Sequence, residues 1–283
     1  CVHRLPGLRA TMYDALLAKL DPASMMEVGG LGKARIAINL LCKASESEPA
    51  AAAGGIAAVA DGVKVLMQTA LLHPEPSLRE GAVSVLACCC TCNDESFIAS
   101  ALGGGPASLP AALVRLCAEQ DRKAKPETEG DEAIDPDLPA RRSAVACLHS
   151  LLLGTDGAVA IRALRDWSGV DGTPWALLRN SDATIRERAA ALLRGLLVTP
   201  AEADAATPEQ RERAGLVLAF AGDAPDKVAA SVTAALGDAD PGVRAAGLEA
   251  LAALRAARAD DRKLREALEN AGAETALGDA AAA

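Results

Sequence analysis

Of the eight cysteines in this 283-residue chain, four crowd into one short stretch, Cys88, Cys89, Cys90 and Cys92. Cys88 and Cys92 stand one helical turn apart and could give a metal two ligands, but no further CxxC pair or neighbouring histidine completes a set of four. The stretch is apolar and helical in pattern, and neighbours along one helix cannot readily be bridged to one another. The expectation is a group of small buried thiols that pack as hydrophobes in a reducing compartment, with no metal site.

The three histidines, His3, His73 and His149, are far apart in sequence, and none has metal-ligand spacing or sits in a nucleophile motif. His73, in a turn before Pro74, and His149 are expected at the surface or lining a groove. Val28 to Arg35, VGGLGKAR, ends like a phosphate loop at Gly32-Lys33, but Glu27 stands where the earlier glycine belongs and Ala34 where Ser or Thr belongs. Glycines at a helix start explain it better. The carboxylates Glu127, Glu129, Asp131, Glu132, Asp135 and Asp137 form a charge run in a Pro-bearing segment, expected to be a solvated loop. Trp167 and Trp175 flank the turn SGVDGTP, where they either pack beneath it or offer a binding anchor. No catalytic, cofactor-binding or metal-ligating residue is assigned, and the chain is expected not to be an enzyme.

These residues need a framework, and composition restricts it. With two Phe, one Tyr and two Trp there is little to fill a large conventional core, whereas 51% apolar residues, dominated by Ala with Leu and Val, suit close helix-on-helix packing. A net charge of -9 argues against neutralising nucleic-acid phosphates or docking on anionic lipid. The longest apolar stretches, such as Ala50 to Ala60, are too short to cross a bilayer, and residues 1 to 20 lack a signal peptide's unbroken apolar run. A cytoplasmic location is expected.

One motif recurs: DPGVRAAGLEAL (Asp240 to Leu251), DATIRERAAALL (Asp182 to Leu193), EPSLREGAVSVL (Glu75 to Leu86), DLPARRSAVACL (Asp137 to Leu148) and a weaker GLGKARIAINL (Gly30 to Leu40). The basic residue marks the register: Lys33, Arg79, Arg141, Arg186 and Arg244. Three and four positions on come Ile36 and Ala37, Ala82 and Val83, Ala144 and Val145, Ala189 and Ala190, Gly247 and Leu248; seven on comes Leu40, Leu86, Leu148, Leu193 or Leu251. That spacing defines one buried helix face. An acid four positions before the mark, Glu75, Asp137, Asp182 or Asp240, with Pro76 and Pro241 beside two of them, is helix-start chemistry. The marks lie 46 (33 to 79), 62 (79 to 141), 45 (141 to 186) and 58 (186 to 244) residues apart, the long intervals holding insertions at 119–138 and around Thr199 to Pro208. Apolar segments Gly62 to Leu72, Thr173 to Leu178 and Asp226 to Leu236 precede three of the motifs, so the expected unit is a helical hairpin that stacks on its neighbours.

These residues resemble the armadillo and HEAT superfamily, in which D-x-x-V-R-x-x-A opens the inner helix; Asp240 to Gly247 and Asp182 to Ala189 carry the match, and Asn93 to Leu116 looks like the armadillo link. The resemblance implies an all-α, right-handed α-solenoid of about five repeats over 25–257, with an N-terminal helical segment at 1–24 and a polar capping helix (Asp260 to Leu277) and tail within 258–283. Importin-type peptide binders carry Trp and Asn five and nine positions after the mark; here stand Ser84 and Cys88, Ala146 and Ser150, Ala191 and Gly195, Glu249 and Ala253. The ladder for extended basic peptides is absent. A weaker similarity, over AVSVLACCCTCNDES, ARRSAVACLHSLL and IRERAAALLRGLLV, is to armadillo-type nucleotide-exchange factors of 70-kDa heat-shock chaperones, and it implies a concave face clasping the chaperone.

The functional expectation is a scaffold or adaptor for protein partners, within a multi-subunit assembly or with a 70-kDa heat-shock chaperone as the alternative. If inner helices line the concave side, positions one, five and nine after the mark project outward: Glu80, Ser84 and Cys88 beside Arg142, Ala146 and Ser150, then Glu187, Ala191 and Gly195.

Overall fold

The structure is a computed structural model that describes residues 6–21, 24, 27–92, 94–102, 108–118, 135–154, 157–167, 174–198, 202, 204–257 and 261–282. It is all-α, with no strand among the described residues. The chain divides into two compact units, Cys1–Asp156 and Gly157–Ala283.

The first unit holds α1 (Pro6–Leu17), α2 (Gly30–Ser47), α3 (Pro49–Ala57), α4 (Gly62–Leu72), α5 (Pro76–Cys90), α6 (Glu95–Leu102), α7 (Leu109–Ala118) and α8 (Leu138–Leu153). Here α2 packs on α5 and α5 on α8, so the motif-bearing helices form one row. Behind them α4 backs α5 and α7 backs α8. The hairpin expectation falls short by one helix, because a short first helix, α3 or α6, precedes each backing helix. α3 and α4 meet at 101° across Asp61, which takes a left-handed φ of 58°. No single described helix is long and apolar enough to cross a membrane.

The second unit repeats the plan with α9 (Gly157–Trp167), a short 3₁₀ segment (Pro174–Arg179), α10 (Ala183–Leu196), then α11 (Pro208–Asp223), α12 (Pro225–Leu236) and α13 (Pro241–Ala257). α10 packs on α13, and the 3₁₀ segment on α12. Within the expected segment Thr173 to Leu178 the described residues form a 3₁₀ turn. Trp175 is fully buried there and donates its Nε1–H to the Val217 carbonyl at 3.3 Å, so it packs rather than anchors a partner. The Trp167 side chain and Glu127, Glu129, Asp131 and Glu132 lie outside the described residues. The single C-terminal helix expected over Asp260 to Leu277 is two, α14 (Arg262–Asn270) and α15 (Ala273–Ala282), because Gly272 turns the chain with φ 75°. Both pack on α12.

The Leu-centred stripe is buried in four of five copies: Leu86 and Leu148 are 0% exposed, Leu193 1% and Leu251 2%. Each contributes about 1.5–3 kcal/mol by leaving water. The weak copy breaks the pattern. Leu40 is 48% and Ile36 63% exposed, while Ala34, Ala37, Ile38 and Leu41 are buried. Its register therefore starts at Ala34, one residue later than Lys33, and 45 residues separate it from Arg79, matching the 45 between Arg141 and Arg186. VGGLGKAR is a helix start: Gly29 takes a left-handed φ of 74°, α2 begins at Gly30, and Lys33 pairs with Glu27 at 3.4 Å.

The mark itself is structural. Arg79 donates to the His73 carbonyl, Arg186 to those of Asn180 and Ser181 at 3.0 Å, and Arg244 to those of Asp238 and Ala239 at 2.9 Å. Six positions before each mark a side chain accepts the backbone N–H two residues on: His73 from Glu75, Asp135 from Asp137, Asn180 from Asp182 and Asp238 from Asp240, all at 2.9 Å. His73 is therefore largely buried, at 4% exposure, and lines a pocket with Leu20, Val65, Thr69 and Leu72; His149 is exposed. Burial lowers the His73 pKa from its ordinary value, and Arg79 nearby acts the same way.

Arginine also ties successive repeats together. Arg79 pairs with Asp137 across α5 and α8, and Arg186 pairs with Asp238 at 2.6 Å, before α13. Asp135 and Asp137 thus leave the solvated charge run assigned to them: Asp137 is buried against Arg79, and Asp135 pairs with Arg141. Of the four entry acids, Asp182 and Asp240 cap backbone N–H groups, of Ile185 and Val243 at 3.0 and 2.9 Å, whereas Glu75 and Asp137 pair with arginine instead.

Candidate interaction surface

Each inner helix packs on at least one neighbouring inner helix and keeps an open face. On α5 it carries Glu80, exposed, with Ser84 and Cys88 half-buried; on α8, Arg142, Ala146 and Ser150, all half-buried. With the register of α2 corrected, its equivalents are Arg35, Asn39 and Lys43, all exposed. The sequence pattern hides these three because taking Lys33 as the mark sets the register one residue early. In the second unit Glu187, Ala191 and Gly195 of α10 are exposed, whereas Ala253 of α13 is buried. There Arg194 reaches across to Glu249 at 2.8 Å and bridges α10 and α13.

Two details narrow the first unit's surface. Gly81 has no side chain where α2 crosses α5; a Cβ there would stand 2.6 Å from Cγ1 of Ile38. The helices approach closely enough for the Cys42 thiol to reach the Gly81 carbonyl at 3.5 Å. Burial first, then Glu46, Cys88 and Glu80, pushes the Cys42 thiol up to about 11. Burial raises Cys88 as well, against a lowering hydrogen bond with Ser45. Deeper in the seam Cys90 meets Cys147, and its thiol lies well above the ordinary range through that hydrogen bond and burial. Such thiols stay protonated and act as small apolar groups. No three His, Cys, Asp or Glu side chains among the described residues converge to hold a metal ion.

Arg35 meets Glu75 at 2.7 Å at one end of this surface, and that bond, with one from Ser77, lowers the Glu75 carboxyl below its usual range. The open face is thus a shallow strip of small side chains set among separated charges of both signs.

Structural comparison decides what this row of three-helix units is. The chain is similar to a designed armadillo repeat protein, YIII(Dq)4CqI, at 17% identity and a TM-score of 0.56, covering 94% of this chain and 90% of that one. The chain has an armadillo-type repeat fold. A second designed armadillo repeat protein, YIII(Dq.V1)4CPAF, solved in complex with the peptide (KR)4, is similar at 15% identity and a TM-score of 0.54, again over 94% and 90% of the two chains. No protein-family model matches the chain, and no curated protein matches it. Within the armadillo-type fold, α3 and α6 are the short first helices, α4, α7 and α12 the backing helices, and α2, α5, α8, α10 and α13 the inner ones.

Proposed function

We propose that this chain is a non-enzymatic protein-binding scaffold that holds a partner on the open strip of its inner helices. In the first unit that strip is Glu80, Ser84, Cys88, Arg142, Ala146 and Ser150; in the second it is Glu187, Ala191 and Gly195. The supporting observation is that these nine positions are exposed or half-buried while the stripes beside them are buried. Catalysis has no support in the residues: the histidines are dispersed, and His73 is committed to a turn.

The chemistry of the strip selects the kind of partner. One similar designed protein is described in complex with a basic peptide. Here the Trp and Asn positions of a peptide ladder are Ser84 and Cys88, then Ala146 and Ser150. Small side chains give no aromatic or amide grip on an extended backbone, so a folded surface or an apposed helix fits better. The seven unpaired described thiols accord with a reducing, cytoplasmic setting.

Affinity purification of the native chain beside a Ser84→Arg/Ala146→Arg variant tests this reading. Both positions are half-buried midway along the strip, and circular dichroism checks that the variant is as helical as the parent. A stoichiometric partner retained by the parent and lost by the variant supports the proposal, and equal recovery overturns it. A 70-kDa heat-shock chaperone released by ATP would identify the co-chaperone role, and a constant set of subunits the assembly role.

A further inference from the structure

Most of the exposed large apolar side chains among the described residues fall in one short stretch of sequence. The set is Val28, Leu31, Ile36, Leu40 and Leu72, and four of the five lie between 28 and 40. At 100° per residue, Ile36 and Leu40 point away from the face of α2 that meets α5 through Ile38 and Cys42. The repeat says what belongs there. Ile36 and Leu40 are positions two and six after the corrected mark, the positions with which a later inner helix meets the inner helix before it. Position six is Val85 on α5, 0% exposed, and Cys147 on α8, 0% exposed, which touches Cys90 of α5. In the second unit it is Leu192, 0% exposed, and Ala250, 1% exposed. On α2 both positions, Ile36 and Leu40, face water.

We propose that the free face of α2 docks an amphipathic helix of a partner protein, apolar at its centre and carboxylate-bearing at its ends. The seam geometry sets a helix as the occupant, because the equivalent faces of α5, α8 and α13 are each covered by one, α2, α5 and α10 respectively. Charge sets its chemistry. Lys33 and Lys43 flank Ile36 and Leu40 on the two sides, both exposed, and Glu27 meets only Lys33. A second copy laid antiparallel on this face would bring Lys33 opposite Lys43, whereas acidic ends on a foreign helix would neutralise them. This surface borders the strip of positions one, five and nine, and Lys43, at position nine of α2, lies where the two meet.

The test uses the full chain and two Ala-based helical peptides with Leu at two positions four apart. One bears Glu in its first and last turns, the other Lys, and binding is read by fluorescence anisotropy. The Glu peptide is expected to saturate, and the Lys peptide to bind at least about tenfold more weakly. Ile36→Glu/Leu40→Glu should abolish binding without lowering the thermal midpoint, since both side chains are exposed. Lys33→Glu/Lys43→Glu, exposed as well, should invert the peptide preference. The proposal is overturned if the Glu peptide fails to saturate, if the two peptides bind alike, or if Ile36→Glu/Leu40→Glu leaves binding unchanged. It is equally overturned if light scattering shows a dimer of the unliganded chain that Ile36→Glu/Leu40→Glu splits, which gives the face to a second copy.

Discussion

Replacing Arg79 with Met should damage the first unit out of proportion to the contact removed. The Arg79 and Asp137 side chains are 4% and 5% exposed, so losing one partner strands the other charge out of water. Breaking such a buried pair costs about 3–5 kcal/mol, because the orphaned carboxylate keeps its desolvation penalty. At about 2–4 °C per kcal/mol for a unit of this size, the midpoint should fall by about 6–20 °C. Removing both charges together, as Arg79→Met/Asp137→Leu, should restore most of the loss, since a well-packed apolar pair replaces a buried ion pair at little cost or with a gain of about 1–4 kcal/mol. Arg194 and Glu249, 48% and 35% exposed, form an internal control: Arg194→Ala should cost less than about 1 kcal/mol. Urea denaturation followed by circular dichroism gives the energies, and amide exchange in α5 and α8 localises them. A loss below about 1 kcal/mol for Arg79→Met, or a double variant as unstable as the single, would refute the reasoning that this pair is dry and couples two repeats.

Three further outcomes follow from the same geometry. His73 accepts the Glu75 N–H as a neutral imidazole with a lowered pKa, so the unfolded chain takes its proton more readily; the stability it lends is full above about pH 6.5 and is lost as pH falls through the lower folded value. His73→Asn, which copies Asn180 at the equivalent turn, should flatten that acid-side loss in pH-dependent melting curves. Gly81→Val should cost about 1–3 kcal/mol by driving a side chain into Ile38, and Ile38→Ala in the same chain should recover part of it, read by urea midpoints. Alkylation mapped by mass spectrometry should label Cys88 and Cys92 in the native protein and reach Cys89, Cys90, Cys117 and Cys147 only in denaturant; Cys117 is fully enclosed, and burial pushes it up to about 12.

The architecture was legible because the repeat writes one instruction several times. Leu86, Leu148, Leu193 and Leu251 sit in the same column and are all buried, and small residues at the third position let helices approach. Legibility failed where one residue type can serve two purposes. Lys33 looked like a mark, but a mark is needed only where a guanidinium holds the preceding turn, and α2 follows a glycine turn instead. Periodicity alone cannot choose between registers one residue apart when Ile36, Ala37, Ile38, Leu40 and Leu41 are all apolar. His73, Asp135, Asn180 and Asp238 share a backbone task that their differing chemistry hid. The sequence placed Asp137 in both a helix start and an acidic run, and only its partner, Arg79, 58 residues away in the chain, decides between them. The nine strip residues are exposed or half-buried, since one helix face follows directly from the other; what binds there is not encoded in the stacking pattern.

The central functional claim is that the strip of inner helices is where a partner rests. Incorporating a photo-crosslinking amino acid at Ser84, at Ala146 and, as a control, at exposed Gln68 on α4 measures this in the native setting. A single protein adduct from Ser84 and Ala146, absent from Gln68, is the expected result. Adducts from Gln68 alone, or equally from all three positions, would contradict it.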